Sequence, residues 1–144
     1  MTGFRAESVG YQVNHLARLM ALALRDRIAA HGVAPGQFAQ LLALYEEDGI
    51  TQAELCVRVG IEQPTMAATL ARMQRDGLVE RVPDPRDGRR SLVLLTPRAR
   101  ALEPALLAAA QGVNDDATRG VDPAAAAAFL TAAARMITNL ESAR

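Results

Sequence analysis

The stretch from 51 to 95 constrains the fold more than any other part of this chain. Thr51-Gln52-Ala53-Glu54 has the spacing of a capping box, in which the Thr oxygen accepts from the N3 amide and the Glu reaches back to the Thr amide. The helix it opens is short, with Leu55 and Val59 as its apolar contacts, and Gly60 turns the chain. After Ile61-Glu62-Gln63, Pro64 supplies a pre-set φ for a second helix that runs to about Asp76. Met66, Leu70 and Met73 lie on one side of it, Gln63, Thr65, Ala68, Thr69, Arg72 and Arg75 elsewhere, and Gly77 caps it. Residues 78–82 alternate as a strand, Pro83-Asp84-Pro85-Arg86-Asp87-Gly88 reads as a turn, and 91–95 as the returning strand. Two short helices across a glycine turn, followed by a two-stranded hairpin with an Arg-rich tip, spell a winged helix-turn-helix.

The flanks are helical. Val9, Val13, Leu16, Met20, Leu24 and Ile28 recur at three- and four-residue spacing, Gly32 ends that helix, and Pro35-Gly36 restarts the chain. Phe38, Leu41, Leu42 and Tyr45 mark the next helix, which runs into Glu46-Glu47-Asp48-Gly49, a corner expected to be solvated because acids oppose the helix dipole there. Thr96-Pro97 caps a long helix to about Thr118, with Pro104 expected to bend it slightly, and Asp122-Pro123 opens a last helix carrying Phe129, Leu130, Ala133, Ile137 and Leu140. With 144 residues, 29 alanines and 3% aromatics, small-residue helix packing is favoured over a β-sandwich. The expected fold is mainly α with a small β-hairpin wing: one domain over 1–144, with 8–34 and 97–144 as dimerisation helices around a 35–96 lobe. In a monomer the flanking helices would leave apolar surface exposed, and a two-fold contact with a second copy would remove it.

Overall charge is balanced, with 16 basic and 16 acidic residues, but it is segregated. From 58 to 100 nine Arg face five acids, a net of +4 that leaves −4 for the remainder. Every basic side chain is Arg, which suits bidentate recognition of phosphate or bases and equally follows from a G+C-rich coding sequence. The single Cys56 can close no intramolecular disulfide, so a reducing cytoplasm is the expected compartment; no signal peptide or membrane span is read, because 28–45, the longest charge-free run, is broken by Gly32, Pro35 and Gly36. Cys56 lies between Leu55 and Val57 with no adjacent Lys or His to activate it, and is expected to be buried and structural. His15 and His31 have no partners at ligand spacing, so no metal is expected. Neither a phosphate loop, a nucleophile elbow nor a zinc helix is present, so no catalytic residue and no cofactor are expected either.

The roles within the winged helix follow from groove geometry. The second helix of the pair fits the major groove, where Gln pairs with adenine and Thr meets a thymine methyl, so Gln63, Thr65 and Thr69 are the candidate base readers. Arg72 reaches guanine or phosphate, or is a solvated helix-face charge, and Arg75 is a further candidate DNA contact. Arg86, Arg89 and Arg90 crowd the hairpin tip, where an Arg can enter a narrow minor groove. Asp84 and Asp87 sit among them although acids repel phosphate; Asp87 is expected to pair with an Arg and hold it extended. The competing readings are a charged hairpin turn with no partner and a winged helix that binds only protein, the latter of which would not need three Arg at its tip.

Thr51-Gln-Ala-Glu-Leu55, Gln63-Pro-Thr-Met66, Asp76-Gly-Leu-Val79, Asp84-Pro-Arg-Asp-Gly-Arg-Arg90 and Leu95-Thr-Pro97 together resemble, in order, the blocks of MarR-type (multiple antibiotic resistance regulator) transcription factors. The resemblance implies a homodimer with interlocked terminal helices, two winged lobes on a pseudo-palindromic operator in double-stranded DNA, and repression relieved by a small phenolic or lipophilic effector. It implies that Asp87 and Arg89 act together at the wing tip, with Arg89 in the minor groove, and that the effector pocket lies between the dimer helices and the winged lobe, with Tyr11, His15 and Phe38 as candidate lining residues. Ala67-Ala68 departs from the polar or basic residue many members carry on the recognition helix, leaving fewer base-reading side chains. The peroxide-sensing branch has its reactive Cys near the start of the first long helix, where this chain has Tyr11.

Overall fold

A computed structural model describes residues 3–144. It contains α1 (Phe4–Glu7), α2 (Val9–Ile28), a 3-10 turn (Ala29–His31), α3 (Pro35–Glu46), β1 (Ile50–Thr51), α4 (Gln52–Val59), α5 (Gln63–Arg75), β2 (Val79–Asp84), β3 (Asp87–Leu95), α6 (Pro97–Ala117) and α7 (Pro123–Ser142). The chain divides into two compact units, one running to Ala110 and one comprising Gln111–Arg144.

The capping signals do what their chemistry demands. Thr51 Oγ1 accepts from the Glu54 amide at 3.1 Å, Thr96 Oγ1 from the Ala99 amide at 3.1 Å, and the Asp122 carboxylate from the Ala124 amide at 2.9 Å, each satisfying an orphan donor at a helix start. Gly60 and Gly77 follow α4 and α5 with φ of 77° and 71°, the left-handed conformation that a side chain resists.

In the first unit one apolar cluster joins every element of the winged region. Leu41 and Leu44 of α3, Leu55 of α4, Met66, Leu70 and Met73 of α5, Leu78 before β2, and Val93 of β3 are fully buried, and Ala99 and Leu106 extend the cluster along α6. The spacing of Met66, Leu70 and Met73 puts all three on one face of α5. The opposite side of that helix is therefore left to solvent.

Three expectations need correction. The sheet has three strands rather than two: β1 pairs with β3 through Ile50↔Val93 and Thr51↔Leu92, giving the order β1-β3-β2. A two-residue strand is too short to show alternation, and its pairing is flanked by the Asp48 carboxylate. One oxygen of that carboxylate accepts from the Gly49 and Leu95 amides, both at 2.9 Å, and the other pairs with Arg100. The corner after α3 is thus partly drawn into the fold, with Glu47 paired to Arg58. The hairpin turn is also tighter than expected. The strands extend to Asp84 and Asp87, leaving only Pro85 and Arg86 between them, with an irregularity in the pairing at Pro83/Asp84. Prolines at 83 and 85 signal a turn, yet Pro83 is tolerated in β2 because it is on an edge strand, beside the irregularity.

Candidate nucleic-acid interface

The candidate residues fall into two groups, both exposed by the packing just described. Gln63, Thr65, Arg72 and Arg75 are exposed on α5 and Thr69 is half-buried. Thr69 Oγ1 donates to the Thr65 carbonyl at 2.9 Å, so its hydroxyl hydrogen is used within the helix and its methyl and oxygen lone pair remain for a partner. Gln63 is braced: its Oε1 accepts from Gln52 Nε2 at 2.9 Å, which ties the first residue of α4 to the first of α5. Gln52 was not singled out from the sequence, because an eleven-residue separation across a turn gives no periodic signal. Among the described residues none pairs with the side chains of Arg72, Arg75 or Arg86.

The second group is the hairpin tip. Asp87 Oδ1 accepts from the Arg89 amide at 3.1 Å and from Arg89 Nε at 3.2 Å, while its other oxygen lies 3.7 Å from Arg90 Nε. The Arg89 side chain nevertheless remains 92% exposed. These bonds from Arg89, with the charge of Arg90, hold the Asp87 carboxyl below its ordinary value of 3.8. Asp84, in contrast, is buried, and its Oδ1 accepts from the Arg86 amide at 2.9 Å. It closes the turn as an Asx motif, so its charge faces the loop backbone. Asp followed by Pro-Arg carried that signal in the sequence.

The three residues associated with an effector are placed differently from one another. Tyr11 and His15 lie one turn apart on α2 with ring centroids 6.2 Å apart at 63°, and the Arg5 guanidinium sits 5.8 Å from the Tyr11 ring centre. Phe38 is buried in the core cluster. Cys56 is buried as well, and burial pushes its thiol up from the ordinary value, away from the reactive thiolate. Among the described residues no three His, Cys, Asp or Glu side chains converge in a way that can hold a metal ion, and no helix is long and apolar enough to cross a membrane.

Sequence and fold are both similar to those of known proteins. The MarR family profile matches residues 31–90. The transcriptional repressor NicR of Pseudomonas putida is 30% identical over 107 residues, covering 74% of this chain and 68% of NicR. The chain belongs to the MarR family. The chain spans a smaller share of other curated relatives, 48% of the HTH-type regulator TtmR of Methylorubrum extorquens and 64% of the HTH-type regulator YwoH of Bacillus subtilis. Among solved MarR-like structures, the PcaV regulator of Streptomyces coelicolor, in complex with its natural ligand, is 28% identical with a TM-score of 0.84, covering 96% of this chain and 97% of PcaV. The repressor CouR bound to a 23-mer DNA duplex is 26% identical with a TM-score of 0.80, covering 95% of this chain and 97% of CouR. The winged fold read from the sequence is therefore that of this family, with β1 as the third strand.

Proposed function

We propose that this MarR-family chain is a homodimeric, sequence-specific repressor that binds double-stranded DNA and resides in the cytoplasm. The observation that carries the reading is the Asp87–Arg89 pair at the wing tip. A carboxylate that accepts both the backbone and side-chain N–H of an almost fully exposed arginine extends that arginine toward a partner, at the place where a wing meets a minor groove. On α5, Gln63, Thr65 and Thr69 are the base readers, with Arg72 and Arg75 on phosphate or guanine, and Arg86 and Arg90 join Arg89 at the wing. The DNA-bound CouR structure supports this reading.

Dimerisation is supported by apolar side chains that the described chain leaves in water. Val9, Val13, Leu16, Leu19 and Leu22 are exposed on α2, and Phe129, Leu130, Ile137 and Leu140 on α7. Runs of exposed apolar side chains like these mark interaction surfaces, and on this reading a second copy covers them. The ligand-bound PcaV structure supports control by an effector, which the family resemblance makes small and phenolic or lipophilic, and Tyr11, His15 and Phe38 are its lining candidates. Effector binding changes the spacing of two recognition helices that otherwise match half-sites about one helical turn apart.

Selection of bound duplexes from a random pool tests the proposal. The expected product is an inverted repeat with half-sites about 10 bp apart. Failure to enrich any sequence would contradict DNA reading and favour a winged helix that serves a protein partner.

A further inference from the structure

Two helices of the first unit end at the same guanidinium. Arg98, in the first turn of α6, donates from Nη2 to the His31 carbonyl at 2.9 Å, at the end of the turn that follows α2, and from Nη1 to the Asp76 carbonyl, at the end of α5. Carbonyls at helix C-termini lack partners within the helix and carry the negative end of the dipole, so a cation with several donors is the fitting cap. Both ends are followed by left-handed glycines. A Cβ on Gly32, at φ 73°, would lie 2.6 Å from Arg98 Nη2, so the approach of the guanidinium depends on glycine there; a Cβ on Gly77 would lie 3.8 Å from Nη1.

The neighbouring bonds tie the same point down. Buried Gln37 accepts from the Ala34 amide at 3.0 Å and donates to the Asp76 carboxylate at 2.8 Å, and Thr96 Oγ1 donates to the Gly77 carbonyl at 2.7 Å. Four segments, from α2, α3, α5 and α6, thus meet at the C-terminal end of the helix whose other end carries Gln63 and Thr65.

We propose that Arg98 is a positioning residue for DNA reading, fixing the orientation of α5 relative to the end of α2 without touching DNA. The inference rests on the reading of α5 as the recognition helix. Thirteen residues make a helix about 20 Å long, so a tilt of about 3° about its C-terminal end moves the reading end by roughly 1 Å, enough to spoil hydrogen bonds to bases. Lysine cannot replace the fork, because one ammonium does not span two carbonyls held by a planar pair of nitrogens.

The test uses the full chain and the duplex recovered by random-pool selection. Arg98→Met, Arg98→Lys and Gly32→Ala are compared with the unaltered chain on that duplex and on a scrambled one, across a salt series, well below each variant's melting temperature. Arg98→Met is expected to bind the selected duplex about tenfold more weakly, the scale of one good base contact, with scrambled-duplex affinity within about twofold and an unchanged salt slope. Gly32→Ala is expected to lose at least as much, because the added methyl meets Nη2 and the left-handed φ there strains any side chain. Undiminished affinity of Arg98→Met for the selected duplex would overturn the proposal. So would equal losses on both duplexes with a shallower slope, since that is the signature of a phosphate contact. If Arg98→Met does not fold, Arg98→Lys decides by the same criteria, having kept the charge and most of the stem. An unaltered chain that prefers no sequence would instead defeat the recognition-helix reading, and this is seen before any variant is made.

Discussion

Asp87 holds Arg89 at two points, the backbone amide and Nε, yet leaves the arginine side chain in solvent. On the proposed reading, in which Arg89 faces DNA, the neighbouring carboxylate acts as an orienting device. Arg89→Ala is expected to weaken operator binding by about 1–3 kcal/mol, and Asp87→Ala to weaken it as well, by roughly tenfold or less. Bulk charge predicts the opposite sign for Asp87→Ala, because the variant is one unit less negative. Titration onto the selected duplex checks the sign, and tighter binding by Asp87→Ala would show that the pair does not orient the arginine.

The same pair fixes a pH dependence. The folded-state value of Asp87 is depressed, so its contribution to the order of the tip is present above the ordinary value near 3.8 and is lost only as pH falls through the lower folded value. The Arg89 amide resonance is expected to stay constant from pH 7 to about pH 5 and to move only under more acidic conditions. A midpoint near 6 would contradict the geometry.

Gln52 braces Gln63 across the helix-turn-helix. Gln52→Ala frees the Gln63 amide to rotate, so sequence preference at one base-pair position is expected to relax while non-specific affinity stays the same. Repeating the selection with the variant measures this directly. An identical preferred sequence would mean that the brace is idle.

Tyr45 offers a test in the core of the first unit. Its hydroxyl donates to the Ala99 carbonyl at 2.6 Å, and burial together with the nearby Glu103 charge pushes it up to about 12. The neutral phenol is favoured by folding, so its contribution is complete below the ordinary value of 10.0 and is lost as pH rises from there to about 12. The difference between the ultraviolet titrations of the unaltered chain and Tyr45→Phe isolates this group. A difference midpoint at 10 would contradict the burial.

The exposed face of α7 tests dimerisation. Leu130→Arg combined with Ile137→Arg leaves the buried cluster of the first unit untouched, since both side chains are in solvent. The variant is expected to sediment as a monomer and to lose roughly 100-fold or more in operator affinity, the contribution of a linked second half-site. A variant that stays dimeric would remove this face of α7 from the interface.

Much of this was legible because local chemistry dictates it. Thr51, Thr96 and Asp122 announce helix starts through their own oxygens, and Met66, Leu70 and Met73 give the inner face of α5 by spacing alone. The Asp87–Arg89 pair was also within reach, being two residues apart on a hairpin. What the sequence hid depends on distant segments meeting. Asp48 reaches the Leu95 amide across 47 positions, and β1 exists only by pairing with β3. Arg98 bonds carbonyls 22 and 67 residues away, and backbone acceptors leave no mark in a sequence. Phe38 shows the converse limit, since an aromatic at helical spacing reads alike as core or as pocket wall, and a place in the buried cluster is compatible with both.

The central claim, a dimer that reads duplex DNA with helix and wing, is tested most directly by titrating the chain onto its selected inverted repeat at several salt concentrations. The account predicts two chains per duplex and, with about six phosphates neutralised per dimer, a slope of log K against log salt near −5. One chain per duplex, or an affinity that does not change with salt, would contradict it.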